Sequence, residues 1–250
     1  MTMTSQMHMA AQYLAAAGIS FLKKKDDDSH TNLGFSVEEG SLSSRGLNKA
    51  QETLSISYKN FTLDWNTFDY SESLPLHGKT HAQVLKWIDE LTTPTYLEGK
   101  YTYALHYDLP YQVTDDHVFE LKDEAHLQQL LEHRILAQHT IERFLKQRQL
   151  NSEVRVWPHH FDTGGYAMLS DDSGQAVGIG MAIPDTLVDD HYFYISMYQG
   201  HTAQDVSSLP KLSIGNWVSD GFKGAILPVS GINENEALRF FDDAFENYLA

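Results

Sequence analysis

An α+β fold, with a mainly antiparallel sheet packed against a long central helix and a C-terminal helix, follows from three observations. Runs of alternating apolar and polar residues recur at 54–65, 154–169, 176–183 and 191–199. Two segments, 122–148 and 233–250, carry apolar residues at helical spacing. The strands come in consecutive groups and do not alternate one by one with helices, which favours hairpins over parallel βαβ units. The expected organisation is an N-terminal helix and loop-rich segment over residues 1–52, then a single α+β domain over 53–250.

Composition narrows the function classes. With 42% hydrophobic and 12% aromatic residues, the 250-residue chain can fill a core. Its 34 acidic against 18 basic residues leave a net charge of −16, which argues against a nucleic-acid partner and against an anionic membrane surface. The absence of cysteine removes disulfides and thiolate chemistry and suits a cytoplasmic protein. Residues 9–22 are apolar, but their lysines (Lys23, Lys24, Lys25) follow the stretch instead of preceding it. That stretch reads as a helix.

Taken in order, residues 5–22 place Met9, Tyr13, Leu14, Ala17 and Phe21 at helical spacing, and Gly18 weakens the last turn. The block 23–28 (KKKDDD) is a solvated hinge, and residues 33–47 read as loops and short strands. Strands at 54–58 and 61–65 meet in a tight turn at 59–60. Thr80 caps a helix that ends near Leu91, with Pro94 just beyond it. Residues 100–109, rich in tyrosine, read as a strand stopped by Pro110. The long helix buries Leu127, Leu131, Ile135, Ile141, Phe144 and Leu145. The strand at 154–169 is expected to pair with 176–183 across a turn at 171–174, and Trp157 is expected to be buried. Asn233 with Glu236 forms a capping signature for the final helix, whose buried face carries Leu238, Phe241, Phe245 and Tyr248.

The run Trp157-Pro158-His159-His160-Phe161-Asp162, followed by Gly164 and Gly165, concentrates titratable groups beside a broken strand. Three readings compete there. In the first, aromatic residues (Trp157, Phe161, Tyr166, Tyr107, Tyr194, Trp217) line a cleft beside the corner at 157–165 and bind a small molecule. In the second, His160, Asp162 and His159 are catalytic through proton transfer. Alternatively, His160 and Asp162 join His106 and Asp108 around a divalent metal, because residues two apart in a strand face one side. In the third, the acidic C-terminal helix serves a protein-interaction module. A plain structural corner, its histidine simply hydrogen-bonded, stands against all three. The chain has no Gly-x-Ser-x-Gly elbow and no Walker loop.

Several segments together resemble an uncharacterised bacterial domain-of-unknown-function family with a WPHHFD-like strand motif. They are Ser73-Leu74-Pro75-Leu76, His160-Phe161-Asp162, His191-Tyr192-Phe193-Tyr194 and Gly224-Ala225-Ile226-Leu227-Pro228, with a final helix from near Ala237. The resemblance implies a soluble domain and carries no assigned reaction.

Overall fold

Helix α1 (Met3–Phe21) is enclosed around its circumference in the computed structural model, which describes residues 2–93, 97–169 and 173–250. Met7, Tyr13 and Leu14 are buried, and so are Gln6, His8 and Gln12. A helix covered on all sides belongs to a core. Alanines 10, 11, 15, 16 and 17 let neighbours approach closely, and at Gly18 a Cβ would lie 2.7 Å from the His30 carbonyl oxygen. Thr2 caps the helix by accepting from Ser5 N at 3.2 Å.

The chain divides into two compact units, Met1–Glu132 with Val156–His159, and His133–Arg155 with His160–Ala250. The expected boundary between residues 52 and 53 is not where it divides. Strands β1 (Gly34–Ser36) and β2 (Ser41–Ser43) precede that point, yet β2 pairs with β3 (Thr53–Ser57), Leu42 opposite Ile56. Backbone pairing therefore joins the loop-rich segment to the sheet beside it.

The first unit holds one antiparallel sheet in the order β1-β2-β3-β4-β5, completed by β4 (Thr62–Asn66) and β5 (Ser71–Pro75). The expected hairpin is present. Phe61, at φ 51°, closes it by donating from its backbone N to Ser57 O at 3.0 Å. Cross-strand pairs Leu54–Trp65 and Ile56–Leu63 are buried, and β3 packs against α1. Helix α2 (His81–Thr92) starts at a capping box between Thr80 and Gln83. Pro94, expected just past it, lies outside the described residues.

Residues 100–109 do not form the expected strand. Their polar groups bond to α1 and not to a neighbouring strand. Tyr101 Oη donates to Tyr13 O at 3.2 Å, Thr102 N to Ser20 Oγ at 2.9 Å and Tyr107 Oη to Gln12 Oε1 at 2.7 Å. An alternating tyrosine pattern fits a segment laid over a helix as well as it fits a sheet.

The division between the units falls within helix α3 (Glu124–Gln147), after Glu132. Strand β6 (Arg155–Trp157) bonds through Val156 to Leu33 in both directions at 2.9 Å, and the expected long strand is interrupted after it. Strand β7 (Asp162–Met168) then pairs with β8 (Gln175–Ala182), as expected; Asp171 and Asp172 of the expected turn lie outside the described residues. The second unit adds β9 (Tyr192–Gln199), β10 (Thr202–Ala203), β11 (Asn216–Val218) and β12 (Gly224–Pro228). They are ordered β11-β12-β9-β8-β7, with β10 on β9.

One face of this sheet carries Val177, Ile179, Met181, Phe193 and Ile195. They pack with Ile141 and Phe144 of α3 and with Phe241 and Phe245 of α4 (Glu234–Leu249). Burying each such side chain contributes about 1.5–3 kcal/mol. Asn233 and Glu236 form the capping box that the sequence signature announces. Among the described residues no helix is long and apolar enough to cross a membrane.

Candidate functional site

The site residues fall into two groups, one in each unit. In the first unit they gather on helix α1. The Pro158 carbonyl, which can only accept, takes His8 Nε2 and Gln12 Nε2, each at 2.8 Å. His8 therefore carries its proton on Nε2. Gln12 in turn accepts from Tyr107 Oη. A buried pair lies further along the helix, Tyr13 Oη with His81 Nδ1 at 2.7 Å. Burial pushes the Tyr13 hydroxyl far above its ordinary range and holds His81 below 6.5. The phenol consequently stays protonated and donates to a neutral imidazole.

Rings continue outward from this network. Trp157 and His159 have centroids 6.3 Å apart, His159 and Tyr107 5.7 Å, Tyr107 and His106 4.9 Å, and His106 and His30 6.3 Å. Trp157, expected to be buried, is half-buried, as are His159 and Tyr107, while His106 is exposed. His106 Nε2 lies 3.3 Å from Asp28 Oδ2. Asp108 is exposed. Beside the same helix, Gln6 Oε1, Tyr103 Oη, Tyr111 Oη and His117 Nε2 are enclosed without a hydrogen-bond partner among the described residues.

In the second unit Asp162 is 9% exposed; its Oδ2 accepts from Tyr194 Oη at 2.5 Å, and its Oδ1 has no partner among the described residues. Gly164 and Gly180 pair across β7 and β8, directly under the Tyr194 phenol. A Cβ at Gly180 would sit 2.5 Å from the ring carbon bearing the hydroxyl. Glycine is required there for close approach, not for an unusual φ. Burial and the adjacent carboxylate push the Tyr194 hydroxyl well above its ordinary range.

Phe161, at φ 59°, is a bulky residue in the left-handed region and is 1% exposed. Buried Arg134 holds it, donating from Nη2 to Phe161 O at 3.2 Å and from Nη1 to Thr163 Oγ1 at 2.6 Å. Arg134 was not among the expected site residues. Its position between Leu131 and Ile141 on the apolar stripe of α3 was the available signal.

The remaining expected residues lie elsewhere. His160 is exposed, and Tyr166, 49% exposed, packs on Tyr198. Trp217 stands on β11, four strand spacings or about 19 Å from β7. It donates to Pro210 O and meets Tyr248 on the helix-bearing face. The four expected metal ligands divide between the units, His106 and Asp108 in the first, His160 and Asp162 in the second. Among the described residues no group of three or more His, Asp or Glu side chains is placed to hold a metal ion. Comparison with protein-family models, with curated proteins and with solved structures finds no match.

Proposed function

We propose that the protein binds a small molecule, received on the ring ladder Trp157, His159, Tyr107 and His106. The observation that carries this reading is the ladder itself, in which successive centroids lie 4.9–6.3 Å apart and every ring keeps some exposed surface. Aromatic faces flanked by imidazole donors and acceptors suit a planar heteroaromatic ligand, held by stacking and oriented by one or two hydrogen bonds. The His8 and Gln12 bonds to Pro158 O hold the backbone from which Trp157 and His159 project, which lowers the ordering cost of binding. The acidic, cysteine-free composition supports a cytoplasmic setting as part of the same reading.

The test is an NMR titration with quinoline and adenosine, following the indole N–H signal of Trp157 assigned by Trp157→Phe. A shift at that signal, lost in Tyr107→Ala, is expected. No shift at millimolar probe overturns the reading.

A second reading, general-base chemistry at Asp162, is favoured by its Oδ1, which has no hydrogen-bond partner among the described residues, while Oδ2 accepts from Tyr194. It requires that Asp162→Asn lose all turnover while the fold is retained.

A further inference from the structure

A cavity of about 630 Å³ opens in the first unit at the C-terminal end of α1, away from the residues of the ring ladder. Phe21, Leu22 and buried Leu47 are its apolar lining, and Lys23, Lys49 and Glu98 are among its charged lining. The volume falls within the range of small-molecule sites, roughly 300–1,000 Å³.

Among the described residues neither lysine and not Glu98 forms an ion pair, in a chain whose net charge is −16. Glu52, which also lines the cavity, is occupied, because Asn48 Nδ2 donates to its Oε2 at 2.8 Å. Leu47 N donates to Glu52 O at 2.8 Å and closes the loop that carries Lys49. Phe21 and Leu22 end α1, where the helix presents its negative pole, so the α1 end and Glu98 favour a cation. Lys23 and Lys49 favour an anion.

We infer that this cavity binds a small zwitterion of the amino-acid or dipeptide class. Its carboxylate meets Lys23 and Lys49, its ammonium group meets Glu98 and the end of α1, and an apolar side chain lies on Phe21, Leu22 and Leu47. Two opposite charges and an apolar lining discriminate such a ligand from a plain fatty acid or a plain amine, each of which would leave charges unmatched.

The experiment is calorimetric titration of the full-length protein with leucyl-phenylalanine, its N-acetylated form and its C-terminal amide. The free dipeptide is expected to bind, and each modified form to bind about tenfold more weakly. Lys23→Gln with Lys49→Gln should bind acid and amide equally, and Glu98→Gln should bind free and acetylated amine equally. These substitutions lie on exposed side chains and leave the core intact. Absence of binding at millimolar dipeptide overturns the inference, as does equal binding of all three forms by the wild type. Preferences that persist in the variants overturn it too. Trp157→Ala should leave this binding unchanged, so failure here and failure of the ring ladder are separable.

Discussion

The guanidinium of Arg134 lies 4.6 Å from the ring centroid of Phe161 while donating to that residue's own carbonyl. One side chain thus holds both the backbone and the ring of a residue in the left-handed region, immediately before Asp162. Arg134→Met should cost about 3 kcal/mol, because two buried acceptors lose a charged donor. Arg134→Lys should restore only part of it, since an ammonium lacks the planar fork. Urea unfolding measures both, and a wild-type midpoint for Arg134→Met would show that the turn holds itself.

Tyr194 and Asp162 should behave as a coupled pair. Tyr194→Phe removes the donor to Asp162 Oδ2 and should cost about 1–3 kcal/mol, while the double variant with Asp162→Leu should cost less than the two singles added together. Strict additivity in the double-mutant cycle would contradict the pairing. Gly180→Ala is expected to destabilise as well, because its Cβ meets the phenol.

The tyrosines around α1 should separate into two classes. Tyr107→Phe removes the bond to Gln12 and should destabilise by about 1 kcal/mol. Tyr103→Phe and Tyr111→Phe delete hydroxyls that have no partner among the described residues, and should leave the melting temperature unchanged or raise it. Equal losses in all three would mean that the two hydroxyls are satisfied.

Acid should weaken the fold earlier than carboxylate protonation alone would. Burial holds His30, His81 and His117 below their ordinary 6.5. Below about pH 6.5 the unfolded chain binds protons that the folded chain refuses, so stability rises with pH in that window and is lost as pH falls through it. Denaturation midpoints between pH 7.5 and 5.5 should therefore decline on acidification, and His81→Gln should flatten the slope. A midpoint that rises on acidification would mean the imidazoles gain charge partners in the fold.

How much of this was legible in advance differed by element. Asn233 and Glu236 announced the last helix because a capping box is a local hydrogen-bond pattern, complete within four residues. The pairing of β7 with β8 was legible for a similar reason, since the two runs are adjacent in the chain. In β8, Ala176, Gly178 and Gly180 alternate with Val177, Ile179 and Met181, and that alternation already separates a face that tyrosines can cover from a face that helices cover.

Helix α1 shows the limit. Its apolar stripe was visible, but nothing in that stripe says that Gln6, His8 and Gln12 are buried with it, or that a carbonyl at Pro158 and a hydroxyl at Tyr107 partner His8 and Gln12. Residues 100–109 failed in the mirror sense, their alternation serving a helix surface and not a sheet. By itself the sequence determined the fold class, the helix caps and the neighbouring hairpins, since these depend on spacing within a few residues. The tertiary structure alone decided which histidines, tyrosines and carboxylates share a site. Those partners lie up to 150 positions apart, as His8 and Pro158 do, and no local periodicity records a contact closed over such a distance.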